Sequence, residues 1–263
     1  YMYDIRSLKQ HVNMATSLHI FVVTTACNMN CVYCQANNGR KCSDLYMTAD
    51  IAKKAVDIAL ESPTRYLTFE FQGGEPLLNF DIVKYIVEYT EEKNQSHVIN
   101  YNIVTNLTLL NEEMIEFFKE HKFGVSTSLD GPEILHNKNR IFRNGQGTYE
   151  KVVESLQRLR AAGLYVGAIE TTTRESLLYP KELARTYAKL GFESIFVRPL
   201  TPLGKATVNW EKIGYTPEEF IEFYKSVMME LIQINLEGDY IKEDHTAILL
   251  NRIYGDFVNY MEL

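Results

Sequence analysis

The sequence predicts an α/β fold in which strands and helices alternate along one parallel sheet. Short apolar runs rich in β-branched and aromatic residues recur up to Arg198, and segments with helical periodicity separate them. Gly163 and Gly191 follow two of those helical segments, where a helix end favours glycine. Parallel strands need such crossover helices, which pack outside the sheet in right-handed units. The pattern leaves two architectures open, an open doubly wound sheet and a partial barrel.

The predicted strands are short and predominantly apolar, beginning with the uncharged run LHIFVVT. They cover residues 18–24, 66–71, 98–105, 124–129, 165–171 and 194–198. The predicted helices between them cover residues 48–61, 80–93, 112–121, 149–162 and 181–190. Thr48 and Asn111 are the expected N-caps of the first and third helices. The face of the first helix that we expect to be buried carries Ile51, Ala55, Ile58 and Ala59.

Beyond Pro199 the alternation stops. Residues 200–215 contain proline and glycine and are predicted as a loop. A long helix is expected over residues 217–236, because Thr216 and Glu219 form a capping-box pattern around Pro217. A last helical segment is expected over 244–254. The stripe of the long helix that we expect to pack on the preceding sheet is Phe220, Phe223, Tyr224, Val227, Leu231 and Ile234.

Composition excludes several classes of protein. With 263 residues, 46% of them hydrophobic and 23% charged, the chain is globular rather than disordered. The net charge of −7 argues against nucleic acid as a partner. No apolar run has the length of a membrane span, and no secretory leader is visible. We therefore expect a cytoplasmic protein without a membrane partner.

The strand–helix pattern divides the chain into three parts. They are a lead-in at 1–17, a core at 18–200 and an extension at 201–263.

All four cysteines lie between Cys27 and Cys42. A disulfide framework would instead join distant segments of a small secreted domain. Cys27, Cys31 and Cys34 form the pattern C-x3-C-x2-C directly after the first strand, at the sheet edge where α/β proteins place their sites. Three thiolates there can bind three irons of a [4Fe–4S] cluster and leave the fourth iron open. A zinc site with Cys31 and Cys34 as one ligand pair is the alternative, and Cys42 is expected to be a free thiol rather than a fourth ligand.

The run Gly73-Gly74-Glu75-Pro76 follows the second predicted strand. On its own it is typical of a strand-to-helix turn with a capping acid. Its position beside the cysteine loop favours a binding role, since both segments end neighbouring parallel strands.

Together, the two motifs resemble those of the radical S-adenosylmethionine (SAM) enzymes, in which an aromatic residue precedes the last cysteine. Three further segments are similar to peptide-modifying maturases with SPASM or twitch extensions, most of all the maturase of the His-Xaa-Ser peptide system, and more distantly to anaerobic sulfatase maturases. They are FQGGEPLLNF at 71–80, STSLDGP at 126–132 with HNKNR at 136–140, and IFVRPL at 195–200. The resemblance covers about residues 18–252 and implies a (β/α)6 partial TIM barrel with a C-terminal helical extension.

This resemblance also implies cofactors and roles. A [4Fe–4S] cluster on Cys27, Cys31 and Cys34 chelates SAM through its amino and carboxylate groups, and reductive cleavage of SAM yields a 5′-deoxyadenosyl radical. The SAM-binding residues implied are Gly73, Gly74, Glu75 and Pro76 for the methionyl group, Ser128 for the ribose, Arg140 for the carboxylate, and Tyr33, Asn106 and Arg198 around the cavity.

Asp130 and Gly131 are expected to form a turn, and His136 to be a structural hydrogen-bonding residue. The implied substrate is a ribosomally made precursor peptide, with a crosslink as the expected product and formylglycine in a sulfatase as the alternative. The implied electron donor is a flavodoxin or ferredoxin. No cysteine follows Cys42, so this stretch carries no ligands for the auxiliary clusters of SPASM proteins. A zinc-stabilised binding module without catalysis is the alternative of another class.

Overall fold

Seven parallel strands form one sheet whose spatial order, β1 to β7, is also their order along the chain. A doubly wound sheet reverses its strand order at a switch point, whereas a singly wound sheet continues in one direction as a barrel does. The partial-barrel prediction is therefore confirmed and the doubly wound alternative is wrong. The structure, a computed structural model, describes residues 16–36 and 45–254. The interpretation of Cys42 lies outside those residues.

The strands are short and end at one edge of the sheet. They are β1 Leu18–Thr24, β2 Tyr66–Gly73, β3 Val98–Val104, β4 Gly124–Ser128, β5 Val166–Thr171, β6 Ser194–Arg198 and β7 Lys242–Glu243. The helices of the described chain are α1 Ala49–Leu60, α2 Phe80–Lys93, α3 Glu112–Glu120, α4 Glu133–Asn139, α5 Tyr149–Ala161, α6 Pro180–Lys189, α7 Lys205–Ile213, α8 Pro217–Glu237 and α9 Asp244–Tyr254. All six predicted strands and all the predicted helices are present, with ends shifted by at most two residues.

The sequence patterns missed α4, α7 and β7. Residues 200–215 were predicted as a loop, but α7 occupies much of that segment. Only Ala206 of α7 is buried, so its apolar periodicity is weak. Contacts with the cysteine loop hold it: Lys205 N–H donates to the Cys34 carbonyl at 3.0 Å, and Asn209 Nδ2 donates to the Val32 carbonyl at 2.7 Å. The helix depends on tertiary contacts that periodicity does not reveal.

The prediction for the buried face of α1 was correct for Ala59 but wrong for Ile51 and Ile58. Ala52, Val56 and Ala59 are buried, whereas Ile51 and Ile58 are 54% and 69% exposed. Both sets have helical spacing, so periodicity alone does not separate them. The structure buries the stripe with the smaller side chains, which allows α1 to lie close to the sheet.

Caps at two other helices follow the sequence. Asn111 Oδ1 accepts the Met114 N–H at 2.9 Å, and Thr216 and Glu219 form the predicted reciprocal capping box of α8. The apolar stripe of α8 packs chiefly against α6 and also contacts β7 at the edge of the sheet. The prediction that it packs on the sheet is therefore correct only in part.

Side-chain alternation along the strands separates the core from the site. Outward residues such as Phe21, Phe69 and Phe71 are buried under the helices. Inward residues such as Gln72 and Ile169 line a cavity at the carboxyl end of the sheet. Within the described ranges, no helix combines the length and apolar character that crossing a bilayer requires.

Candidate active site

A cavity of about 230 Å³ opens at the carboxyl ends of the strands. It contains eleven of the twelve predicted site residues, drawn from the cysteine loop, from the ends of four strands and from the residue that follows α4. They are Cys27, Cys31, Tyr33, Cys34, Gly73, Gly74, Glu75, Asn106, Ser128, Arg140 and Arg198. The remaining one, Pro76, is buried at the first position of a 3-10 helix, Pro76–Asn79, and does not line the cavity.

Three segments hold the cysteine loop in place. Thr24 Oγ1 accepts the Ala26 N–H at 3.0 Å as the chain leaves β1. The N–H groups of Asn30 and Val32 donate to the carbonyls of Ile141 and Asn139, at 2.8 and 3.0 Å. The loop is therefore bonded to the end of α4, to the segment after it and to α7.

The three thiols of this loop are free and half-buried. Cys27 Sγ accepts the Met29 N–H at 3.4 Å, and the Arg140 Nη1 donor lies 4.0 Å from Cys31 Sγ. Burial raises the pKa of Cys27 to about 11 and also raises that of Cys31. Metal binding at this loop therefore has to displace protons.

The donor set fits an iron–sulfur cluster. Three reduced thiols from one short loop face one cavity, with N–H donors of Arg140 and Asn106 at 4.0 Å from two of the sulfurs. Within the described ranges, no group of three or more His, Cys, Asp or Glu side chains is placed to bind a single metal ion. A cubane cluster does not need such convergence, since each cysteine binds a different iron.

The two glycines of the second motif face the cysteine loop. An added Cβ would lie 2.3 Å from the Thr24 carbonyl oxygen at Gly73, and 2.2 Å from that of Ala26 at Gly74. The Gly74 and Glu75 N–H groups donate to the same two carbonyls at 2.9 and 2.8 Å. Glycine is therefore required at both positions by the contact between this motif and the cysteine loop.

Glu75 is buried and accepts three hydrogen bonds. Its Oε1 accepts from Thr105 Oγ1 at 2.6 Å and from the Leu77 N–H at 3.0 Å, and its Oε2 accepts from the Asn106 N–H at 2.8 Å. Burial raises the pKa of Glu75 to about 7, although these donors oppose the shift. Glu75 thus caps the 3-10 helix and also presents a carboxylate to the cavity, so the turn interpretation and the binding interpretation are compatible.

Asp130 is more than a turn residue, which corrects the sequence interpretation. Gly131 does adopt a positive φ of 110°, as a turn favours. Asp130 itself is fully buried, accepts from Tyr33 Oη at 2.6 Å, and pairs with Arg140 Nε at 3.2 Å. Burial raises the pKa of Tyr33 well above its usual value, so its hydroxyl remains a donor.

His136 behaves as a structural residue, in agreement with the sequence interpretation. Its Nδ1 accepts the Asp130 N–H at 3.4 Å, which leaves its Nε2 to donate to Thr148 Oγ1 at 3.0 Å. Thr148 Oγ1 in turn donates to the Arg140 carbonyl at 2.9 Å. Burial lowers the pKa of His136 to about 4, so the ring is neutral near pH 7.

The remaining cavity residues differ in what they contact. Asn106 Nδ2 donates to Asn28 Oδ1 at 3.0 Å, and Asn106 Oδ1 accepts from the Thr108 N–H at 2.9 Å. Its amide therefore braces the cysteine loop against the end of β3. Ser128 and Arg198 end β4 and β6 on the cavity side.

The sequence analysis did not single out a third buried acid beside the site, Glu170, near the end of β5. It has no exposed surface, and its Oε2 accepts from Thr172 Oγ1 at 2.8 Å. Burial raises its pKa well above the usual range. Glu170 lies near the end of a predicted strand, as Asp130 directly follows one, and that position was the available signal for a role of either acid.

Comparison with protein families assigns the class of this protein. The model of the radical SAM superfamily matches residues 21–188, which is more than half of the chain. The chain belongs to the radical SAM superfamily, whose members use a [4Fe–4S] cluster and SAM.

Two individual relatives match this chain over most of its length. An uncharacterised protein of Methanocaldococcus jannaschii is 34% identical over 71% of this chain and 63% of its own length. A cysteine-type anaerobic sulfatase-maturating enzyme of Clostridium novyi is 24% identical over 91% of this chain and 66% of its own length. The chain thus spans less than two thirds of the length of either relative.

Solved structures share the fold. Native anSMEcpe with bound AdoMet superposes with a TM-score of 0.81 at 24% identity, over 90% of this chain and 66% of that one. Streptococcus suis SuiB bound to S-adenosylmethionine gives a TM-score of 0.67 at 17% identity, over 91% of this chain and 52% of that one.

Proposed function

We propose that this chain is the radical-generating part of an enzyme that modifies a ribosomally made peptide. The observation that carries the proposal is the gathering of the three thiols and the Gly73–Glu75 motif around one cavity. The superfamily assignment supports the same chemistry. When bound, the cluster and SAM supply reductive cleavage of SAM and a 5′-deoxyadenosyl radical that removes hydrogen from a carbon of the substrate.

Different residues of the chain bind the cluster and the separate groups of SAM. Cys27, Cys31 and Cys34 ligate three irons, and their half-buried loop limits the access of water. The Glu75 carboxylate, whose Oε2 accepts the Asn106 N–H, takes the ammonium of SAM. Arg140 presents a fork of N–H donors to its carboxylate.

Three further residues have proposed roles around the ligand. Ser128 bonds the ribose, and Tyr33 and Arg198 close the cavity around it. The contacts of Asn106 described above give it a bracing role for the loop. Pro76 fixes the start of the 3-10 helix that Glu75 caps.

The test is anaerobic reconstitution with iron and sulfide, followed by reduction in the presence of SAM. We expect a brown protein that releases 5′-deoxyadenosine. Alanine at Cys27, Cys31 or Cys34 is expected to abolish that product, because each leaves one iron without its ligand. Cys42→Ala is the matched control and should retain it. Turnover by any of the three ligand variants, or a colourless protein that retains one zinc, contradicts the proposal.

The product of the reaction has two candidates. A crosslink within the peptide follows from the resemblance to maturases of the His-Xaa-Ser type. Conversion of cysteine or serine to formylglycine is favoured by the cysteine-type sulfatase-maturating relatives and by the similar fold of anSMEcpe, one structure of which has bound AdoMet and a Kp18Cys peptide. Mass spectrometry of the partner peptide separates them. A loss of two hydrogens without reactivity towards hydrazine indicates a crosslink, and a hydrazine-reactive aldehyde indicates formylglycine.

We also propose an electron donor, a peptide partner and a cellular compartment for this protein. A flavodoxin or ferredoxin is the proposed electron donor, and the free thiols favour the reducing cytoplasm. The acidic balance of the chain argues against nucleic acid. A short neighbouring coding sequence with repeated His-Xaa-Ser units would identify the peptide, and a sulfatase there would favour formylglycine.

A further inference from the structure

Asp130 lies behind the cavity wall, at the point where the chain leaves β4. It is fully buried and is not itself a cavity-lining residue. Its carboxylate accepts hydrogen bonds from three different segments: the cysteine loop, the residue that follows α4, and the end of β5. The donors are Tyr33 Oη at 2.6 Å, Arg140 Nε at 3.2 Å and the Thr171 N–H at 3.4 Å.

These contacts fix the orientation of the Arg140 guanidinium. Asp130 engages Nε, at the inner side of the planar group, while Nη1 points towards Cys31 Sγ at 4.0 Å. The guanidinium also lies over the Tyr33 ring, 5.2 Å from its centroid. Because Tyr33 Oη is bonded to the same carboxylate, one acid sets the position of both the ring and the cation.

We propose that Asp130 is a positioning residue of the active site, which holds Arg140 and Tyr33 so that the terminal guanidinium nitrogens face the cavity beside Cys31. There they meet the carboxylate of the bound ligand. This inference rests on the proposed function, which identifies that ligand as SAM. It predicts that loss of the Asp130 charge acts on SAM binding through Arg140, rather than through the stability of the fold.

The test compares Asp130→Asn with the matched carboxylate-to-amide control Glu133→Gln, an exposed change on α4. The SAM dissociation constant of anaerobically reconstituted protein is measured by equilibrium dialysis without reductant. The melting temperature of the metal-free protein is recorded alongside it. We expect Asp130→Asn to weaken SAM binding about tenfold, the effect of losing one charge-assisted contact, while Glu133→Gln binds as the wild type does.

A double-mutant cycle separates positioning from a general structural role. In an Arg140→Lys background, Asp130→Asn is expected to change the dissociation constant less than about twofold, because the group that it positions is already gone. Equal losses in both backgrounds would overturn the proposal, as would wild-type affinity in Asp130→Asn.

A milder variant covers the case in which Asp130→Asn does not fold. Tyr33→Phe removes one hydrogen bond to the carboxylate and keeps the ring under Arg140. It should weaken SAM binding severalfold while the protein stays folded at the temperature of the binding assay, and unchanged binding contradicts the proposal. Wild-type protein that binds no SAM would overturn the proposed function itself, whereas normal wild-type binding with unaffected variants refutes only the role of Asp130.

Discussion

Single residues decide how closely the two motifs of the site approach each other. Gly74 is the clearest case, since a Cβ there would lie 2.2 Å from the Ala26 carbonyl oxygen and 2.6 Å from that of Thr25. Both neighbours are backbone atoms, so neither can rotate away. The cysteine loop keeps its position only while residue 74 is glycine.

Gly74→Ala is therefore expected to destabilise the fold by about 1–3 kcal/mol, the usual cost of overpacking. Gly167→Ala is the control, because the nearest atom to its added Cβ, on the Tyr165 ring, is 4.0 Å away. Urea unfolding of the metal-free variants measures both. Equal stability of the two variants would show that the motif can move away from the loop.

His136 gives the protein a pH-dependent stability. The folded ring is neutral with a pKa of about 4, lowered by burial and by nearby Arg140 and raised by Asp130, whereas an unfolded histidine has a pKa of 6.5. Below pH 6.5 the unfolded chain binds a proton that the folded ring does not, so stability falls as the pH drops towards 4. The expected loss is on the order of 3 kcal/mol.

The measurement is the free energy of unfolding of the metal-free protein between pH 7 and 4. His136→Gln carries no titratable group and keeps a side-chain donor for Thr148. It should lose this part of the pH dependence while the contribution of the carboxylates remains. If the wild type and His136→Gln show the same pH dependence, the ring is not the group responsible.

At the level of secondary structure, the N-terminal caps of two helices are expected to differ in how much they stabilise the fold. The Thr216 hydroxyl caps α8 by accepting the Glu219 N–H at 3.2 Å, but Thr48 makes no side-chain cap at α1. Thr216→Ala is expected to cost about 1 kcal/mol of unfolding free energy, and Thr48→Ala clearly less. Thermal unfolding of the pair tests this difference. A larger loss at Thr48 would contradict the capping geometry.

The buried face of α1 and the contacts of α7 are two features that sequence patterns could not predict. In α1 two apolar stripes have the same spacing, so the sequence could not rank Ile58 below Val56 as a core residue. In α7 the residues that matter are Lys205 and Asn209, which bond to the cysteine loop. Such contacts join positions that are far apart in the chain, so no local sequence pattern predicts them.

At the level of the whole molecule, the cluster is expected to stabilise the fold. The three proposed ligands lie on a loop that bonds to α7, to the end of α4 and to the segment after it, so we expect ligation to tighten contacts across the sheet edge. Because the unfolded chain offers no preformed site, binding favours the folded state. Reconstituted protein should melt several degrees above the metal-free form, and removal of iron by a chelator should reverse this. Cys31→Ala, treated identically, should show no such increase.

The sequence by itself determined the strand–helix alternation, the three thiols, the glycine-acid motif and most of the residues that line the cavity. The alternation and the two motifs depend on local periodicity and on residue chemistry at strand ends, whereas several cavity residues, such as Ser128 and Arg140, followed from the resemblance to radical SAM enzymes. Only the tertiary structure decided that Asp130 is part of a buried network with Tyr33 and Arg140, that Gly73 and Gly74 contact the cysteine loop, and that α8 packs on α6. These outcomes depend on distances between segments remote in sequence, which packing sets and local patterns do not encode.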